Sequence, residues 1–252
     1  MTGSESSALA VYLARVDRGS TLPAEARAAF LSLATQRKRF ESYREIVRER
    51  DRPISCCVVE TGLVSRYKTL RNGARQILSF HLPGDMIDLQ SALVVIADHG
   101  IRTHVPTTVI TITHDDILRV AAEHPSLGRA LWFDTLVDAA VFREWTVNVG
   151  RRNARERTAH LLLEFEARLR VIGCVHDDSF ELPISQADLA DALGVTAVHL
   201  NRTMQALRRE RMIRTVSQTV TIENRPAMEA LAGFDATYLH PEGPRSLPGL
   251  PD

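Results

Sequence analysis

Between Pro23 and Arg39 the apolar residues Ala26, Ala29, Phe30 and Leu33 recur at helical spacing, and Pro23 suits an opening turn. This predicts a short N-terminal helix. The pattern then changes. Around Cys56–Val59, Leu63–Leu70, Arg75–Leu82, Ile101–His104 and Thr108–Thr113 the chain is β-branched or alternating, with turn signals between the runs. These predict an antiparallel β domain. Asn72-Gly73 is its strongest turn signal, because a tight hairpin needs the positive φ angles these residues tolerate best. Beyond His114 the spacing is helical again: a short helix over Ile117–Glu123, interrupted at Pro125, then a long one over Leu127–Arg151. In the long helix Leu127, Leu131, Val141 and Trp145, with Phe133 and Val137, give more apolar surface than a solvated helix exposes. Pairing with a second copy is the leading reading of that surface. Packing against the chain's own β domain is the alternative, and Asp134 and Asp138 interrupt the heptad.

A further helix is predicted over Arg155–Val171, with Ala159, Leu162, Leu163, Phe165 and Leu169 in amphipathic arrangement and Gly173 ending it. Ser185 can then cap a helix through Ala187, Leu189, Ala190 and Leu193; Gly194 turns the chain, and Thr196 can cap a second helix reaching Arg209. Ile213–Val216 and Thr219–Ile222 alternate like two short strands around Ser217-Gln218. Helix, tight turn, helix and hairpin make a winged helix-turn-helix. In DNA-binding versions the second helix enters the major groove by its N-terminal residues, which here are Ala197, Val198, His199, Asn201 and Arg202. Arg202 is the sharpest candidate, because a guanidinium grips guanine O6 and N7 together, or a phosphate. Asn201 can read adenine and His199 can touch a base or phosphate; an exposed polar residue is the plain alternative for each. Ser185, Thr196, Arg208 and, in the wing, Arg214, Thr215 and Ser217 are candidates for the DNA backbone.

Composition narrows the field. The chain of 252 residues is 44% hydrophobic and 25% charged, the mixture of a folded globular protein of two domains. Met1–Ala10 carries no basic segment followed by a long apolar run, so neither a signal peptide nor a membrane span is expected, and the protein is expected in the cytoplasm. Lys+Arg and Asp+Glu both total 31, so only local charge is informative. Between Thr196 and Thr215, Arg202, Arg208, Arg209, Arg211 and Arg214 face the single acid Glu210, a candidate phosphate-contacting surface. Cys56 and Cys57, adjacent in a predicted strand, point to opposite faces, and Cys174 is isolated; small buried hydrophobes are the default reading of all three.

The order of these parts resembles the Crp/Fnr family of bacterial regulators from the N-terminal helix to about Phe234. The runs Cys57–Val64 (CVVETGLV) and Arg71–Asp85 (RNGARQILSFHLPGD) are similar to the family's β-roll, and Leu182–Val195 with Val198–Arg202 to its helix-turn-helix. The resemblance implies an α+β chain: a flexible N-terminus (1–19), a cyclic-nucleotide-binding-like β-roll sensor domain (20–125), a dimerisation helix (126–151), a winged helix-turn-helix DNA-binding domain (152–235) and a flexible tail (236–252). It implies a homodimer on double-stranded DNA with a palindromic operator. RNA polymerase is a further implied partner, and a membrane is not.

The sequence departs from the family in three places. Cyclic-nucleotide-binding members carry a Gly-Glu step and, about a dozen residues later, an arginine for the phosphate; here Gly84-Asp85 is followed by Ala97-Asp98. An aspartate there repels a phosphate, so control by cyclic AMP is not expected, although a shifted loop carrying Arg102-Thr103 keeps a cyclic-nucleotide-dependent regulator as the alternative. The candidate effector pocket is Gly84, Asp85, Ala97, Asp98, Arg102 and Thr103. Next, no cysteine precedes Cys56, so the family's usual iron-sulfur cluster is not expected; His81 is the nearest candidate for a haem, and no required cofactor is expected. Last, Val198 replaces a glutamate common in the recognition helix, so the half-site should differ from the family's best-known one. A cupin-like metal-binding enzyme is the competing class. His99 and His104 lack the spacing that sets two ligands on one strand face, and no nucleophile elbow, phosphate loop or dinucleotide fingerprint is present.

Overall fold

A computed structural model describes residues 8–18 and 22–244. The chain forms two compact units, one of residues through Arg66, Phe80–Ala139 and those from His240, the other of Tyr67–Ser79 and Ala140–Leu239.

α1 (Ala8–Val16) and α2 (Ala24–Leu31) precede two four-stranded sheets, of order β1-β8-β3-β6 and β2-β7-β4-β5, all in the first unit except the hairpin Tyr67–Ser79. The strands are β1 (Gln36–Phe40), β2 (Glu45–Val47), β3 (Ser55–Thr61), β4 (Val64–Thr69), β5 (Arg75–His81), β6 (Met86–Ile87), β7 (Gly100–Thr103) and β8 (Thr107–Thr113). The pleat sorts β3 between two cores. Cys57 and Val59 join Val64, Ile87, Ile101 and Val109 on one face, while Cys56 and Val58 pack with Ile112 under α1, α2, α3 (His114–Glu123) and the start of α4 (Pro125–Gly150) on the other. The expected opposition of the two cysteines is therefore present, and both thiols are buried. At the Asn72-Gly73 hairpin Gly73 has φ +84° and donates to the Leu70 carbonyl.

Several expectations need correction. Residues 8–16, assigned to a flexible N-terminus, form α1: Leu9, Tyr12, Leu13 and Val16 fall on one buried face, and Tyr12 stacks on Phe30. Residues 1–7 and 19 lie outside the described residues. The N-terminal helix ends at Leu31, not Arg39, and β1 and β2 were not anticipated. All four residues Gln36–Arg39 are exposed on a sheet-edge strand, so β1 lacks apolar alternation. Of the tail expected to be flexible, Ala236–Leu239 forms a 3-10 turn in which Tyr238 Oη donates to Glu164 Oε2 at 2.6 Å; residues 245–252 lie outside the described residues.

The apolar stripe on α4 also needs correction. Leu127 and Leu131 belong to the first unit's core, and Val141 and Trp145 are buried, with Trp145 Nε1 donating to Glu164. Asp134 and Asp138, which interrupt the heptad, occupy that same inward side. Asp134 accepts from Tyr12 and Arg15, and Asp138 pairs with the buried Arg66. The outward side is a different stripe: Trp132, Leu136 and Val147 are exposed, with Ala139 and Arg143 between them at the same heptad-like spacing.

In the second unit, α5 (Ala154–Val171) starts at a capping box of Asn153 and Glu156 and supports β9 (Ser179–Glu181), α6 (Gln186–Leu193), α7 (Ala197–Arg209), β10 (Ile213–Val216), β11 (Thr219–Ile222) and α8 (Arg225–Ala232). The wing sheet has the order β10-β11-β9; the short β9 carried no sequence signal. Among the described residues no helix is long and apolar enough to cross a membrane.

Candidate nucleic-acid interface

The helix-turn-helix is built by three local devices that the sequence names. Ser185 Oγ accepts from the Asp188 amide and starts α6; Gly194, at φ +60°, ends it; Thr196 Oγ1 accepts from the His199 amide and starts α7. A capping side chain satisfies an amide that the first helical turn leaves open, for about 1 kcal/mol. The left-handed conformation at 194 favours glycine over any residue with a Cβ.

α7 has two faces. Leu200, Thr203 and Leu207 are buried, whereas Val198, Arg202, Gln205 and Arg209 are exposed at intervals of four, three and four residues and so form one outward row. Thr196, Ala197 and His199 are exposed beside it at the N-terminal end. Arg202 makes no ion pair among the described residues. The half-buried Asn201 donates to Gln186 Oε1 at 3.3 Å. Arg208, expected at the DNA backbone, donates from Nη1 to Thr215 Oγ1 at 2.7 Å and ties the wing to α7. Ser217 lies exposed at the wing tip with φ +52°. Glu210, the single acid of the basic stretch, is ion-paired with Arg155, and Arg214 pairs with Glu223 at 3.3 Å. Gln205 was missed by sequence reasoning, although its spacing of three from Arg202 marks it.

The candidate effector residues are each engaged in contacts of their own. Gly84 has φ +86°, and a Cβ there would lie 2.6 Å from Val11 Cγ1 of α1. Asp85 Oδ2 accepts from the Leu82 amide, and its other oxygen lies 3.6 Å from Arg15 Nε. Ala97 is bonded through its backbone to Arg50 and Asp51. Thr103 is fully buried, with Oγ1 donating to the Glu41 carbonyl and accepting from the Arg44 amide. Arg102 holds its guanidinium 5.1 Å from the Tyr43 ring centroid. Asp98 extends to solvent, yet accepts from or shares a proton with His99 Nδ1 at 2.6 Å.

Buried polar chemistry gathers elsewhere in the first unit. Asp88 sits at φ +62° before the 3-10 turn Leu89–Ala92, buried, with Oδ1 3.3 Å from His99 Nε2 and accepting from Gln90 Nε2. Asp88 and His99 are eleven positions apart, and no sequence signal marked them as a pair. Cys56 and Cys57 are inert as nucleophiles: burial pushes the Cys56 thiol up to about 12 and raises that of Cys57 further. Among the described residues no group of three or more His, Cys, Asp or Glu side chains is placed to hold a metal ion. His81 is buried at the end of β5.

Two family models match the chain in the order of its parts: a cyclic nucleotide-binding domain over residues 37–124 and a Crp-like helix-turn-helix domain over residues 156–231. Together they define a DNA-binding transcription regulator with a β-roll. The nitrogen fixation regulation protein FixK of Bradyrhizobium diazoefficiens is 30% identical over 78% of this chain and 82% of its own length. The transcriptional activator protein FnrL of Cereibacter sphaeroides is 28% identical over 62% of this chain and 63% of its own. The structure of FixK2 from Bradyrhizobium japonicum superimposes with a TM-score of 0.74 at 26% identity, covering 79% of this chain and 98% of that one. The chain belongs to the Crp/Fnr family of transcription regulators and is not an enzyme.

Proposed function

We propose that the chain acts in the cytoplasm as a homodimer that reads a two-fold symmetric operator with α7 and does so without cyclic AMP. The observation that carries the reading is the outward row of α7. Val198, Arg202 and Gln205 are exposed at a doubly capped helix-turn-helix, and Arg202 makes no ion pair among the described residues. Arg202 grips a guanine edge or a phosphate, and Val198 presents a methyl surface where a thymine methyl can pack. The exposed N-terminal residues Thr196, Ala197 and His199 and the wing residue Ser217 face the backbone, while Arg208 holds the wing in place.

Dimerisation is supported by the outward stripe of Trp132, Leu136 and Val147 on α4, an exposed apolar seam of the kind helices cover by pairing. Two copies related by a two-fold axis present two copies of α7, which is why the operator is a palindrome. Independence from cyclic AMP is supported by the carboxylates of Asp88 and Asp98 on either side of His99, which disfavour a cyclic phosphate beside them.

Selection of bound fragments from random duplex DNA, with and without cyclic AMP, tests this directly. A palindrome recovered in both arms supports the reading; recovery only with cyclic AMP overturns the ligand-free part. Arg202→Ala should then weaken binding to the recovered operator by about 1–3 kcal/mol, the scale of one bidentate base contact, and leave the dimer intact. Equal affinity of the variant removes Arg202 from the interface.

A further inference from the structure

The hairpin formed by the ends of β4 and β5 belongs to the same compact unit as the helix-turn-helix, although its strands run on into the β-roll sheet. Its contacts are specific. Arg75 Nη2 lies 2.6 Å from Asp188 Oδ1 and 2.6 Å from Asp191 Oδ2, and Arg75 Nε donates to Asp191 Oδ2 at 2.9 Å. One guanidinium thus grips two carboxylates one turn apart on α6. Gln76 Nε2 donates to the Ala192 carbonyl at 3.0 Å, near the other end of the helix, and Gln76 Oε1 stands 3.6 Å from where a Cβ on Gly194 would be.

Asp188 is no ordinary surface carboxylate. It is buried, and its second oxygen accepts from Ser185 Oγ at 2.6 Å, while that same hydroxyl accepts from the Asp188 amide. Arg75 therefore reaches the cap that starts α6, and Gln76 reaches the turn that joins α6 to α7. A charge-assisted, fork-like contact of this kind fixes orientation as well as proximity. Neither hairpin residue is in the outward row of α7.

We infer that Arg75 is a positioning residue for DNA recognition, holding α6, and through it α7, in the attitude that reads the operator. The inference rests on the DNA-binding reading of α7 and extends it: a displacement of β4 and β5 in the sheet is delivered to the reading helix through two side chains. Because indirect positioning matters only where geometry is demanding, its removal weakens binding to operator and spares binding to unrelated duplex, which is governed by phosphate charge.

The experiment measures affinity for the selected operator and for an unrelated duplex at fixed salt, together with thermal unfolding, for the full chain and its variants. Arg75→Gln is expected to lose about tenfold in operator affinity, the scale of one charge-assisted contact, with non-specific affinity within about twofold and the protein folded at the assay temperature. Arg75→Lys retains most of the affinity. Arg75→Glu loses more than Arg75→Gln, and adding Asp191→Arg to it recovers operator binding relative to Arg75→Glu alone. Arg202→Ala serves as the control for the reading itself. Unchanged operator affinity in Arg75→Gln while Arg202→Ala is weakened overturns the inference; unchanged affinity in both overturns the DNA-binding role of α7 instead. Parallel loss on operator and unrelated duplex, or loss without rescue by the charge swap, makes Arg75 merely structural and also overturns it.

Discussion

Replacing Trp132 by alanine should separate the proposed dimer without disturbing the protomer. Trp132 is 64% exposed, and a tryptophan presents up to ~250 Å², so about 150 Å² per protomer is free to be covered by a partner. At about 25 cal/mol per Å² of apolar surface, covering all of it in both protomers has an upper limit of roughly 7 kcal/mol. A helical seam covers about half of such a side chain, and alanine retains a small part, which leaves ~3 kcal/mol, or about a hundredfold in the dimer dissociation constant. Sedimentation velocity over a concentration series measures that constant for the wild type and for Trp132→Ala, with unfolding followed in parallel. Because the side chain is outside both cores, the variant's protomer should unfold where the wild type does at concentrations too low for dimer. An unchanged dissociation constant would refute the assignment of this face of α4. So would a shift produced by Val141→Ala without general unfolding, since Val141 is on the inward side.

Two other outcomes follow from burial. His160 is fully buried against Phe234 and Tyr238, and burial, followed by the charge of Arg152, lowers its pKa to about 4. A depressed imidazole pKa means that the unfolded chain takes up the proton first as pH falls from about 6.5, so stability declines from there down to about 4. Between pH 7 and pH 5 the wild type should lose ~2 kcal/mol from this group alone, and His160→Gln should show a correspondingly shallower decline in urea unfolding; equal slopes would contradict it. For the thiols, a disulfide reagent should titrate Cys174 promptly in the native protein and reach Cys56 and Cys57 only in denaturant, as their burial and raised pKa values require. Rapid native reaction at more than one thiol would contradict the buried assignment.

The readable parts of this molecule are those where chemistry is local. Ser185, Gly194 and Thr196 announce the helix-turn-helix because caps and left-handed turns are properties of a few adjacent residues, and the wing strands fall at the expected residues for the same reason. Asn72-Gly73 placed β4 and β5. The α4 seam was not readable, because that helix carries two apolar stripes and only tertiary contact decides which one its own chain covers: Asp134 and Asp138 look like flaws in a dimer face until Tyr12, Arg15 and Arg66 are seen to meet them. β1 was missed since an exposed edge strand has no hydrophobic period to detect. The pairings of Asp88 with His99, and of Arg75 with Asp188 and Asp191, join residues 11 or more positions apart through topology alone. No spacing rule connects them.

The division between the two units falls inside α4, after Ala139, and the chain also changes unit on either side of Tyr67–Ser79 and after Leu239. The polypeptide therefore crosses between units four times, once in mid-helix, and no single cut yields two complete pieces. A recombinant or evolutionary exchange that imported a foreign DNA-reading module at the end of α4 would leave behind the hairpin bearing Arg75 and Gln76. Modularity in this chain is a matter of shape more than of sequence: its inheritable unit is the whole stretch from the β-roll to the wing.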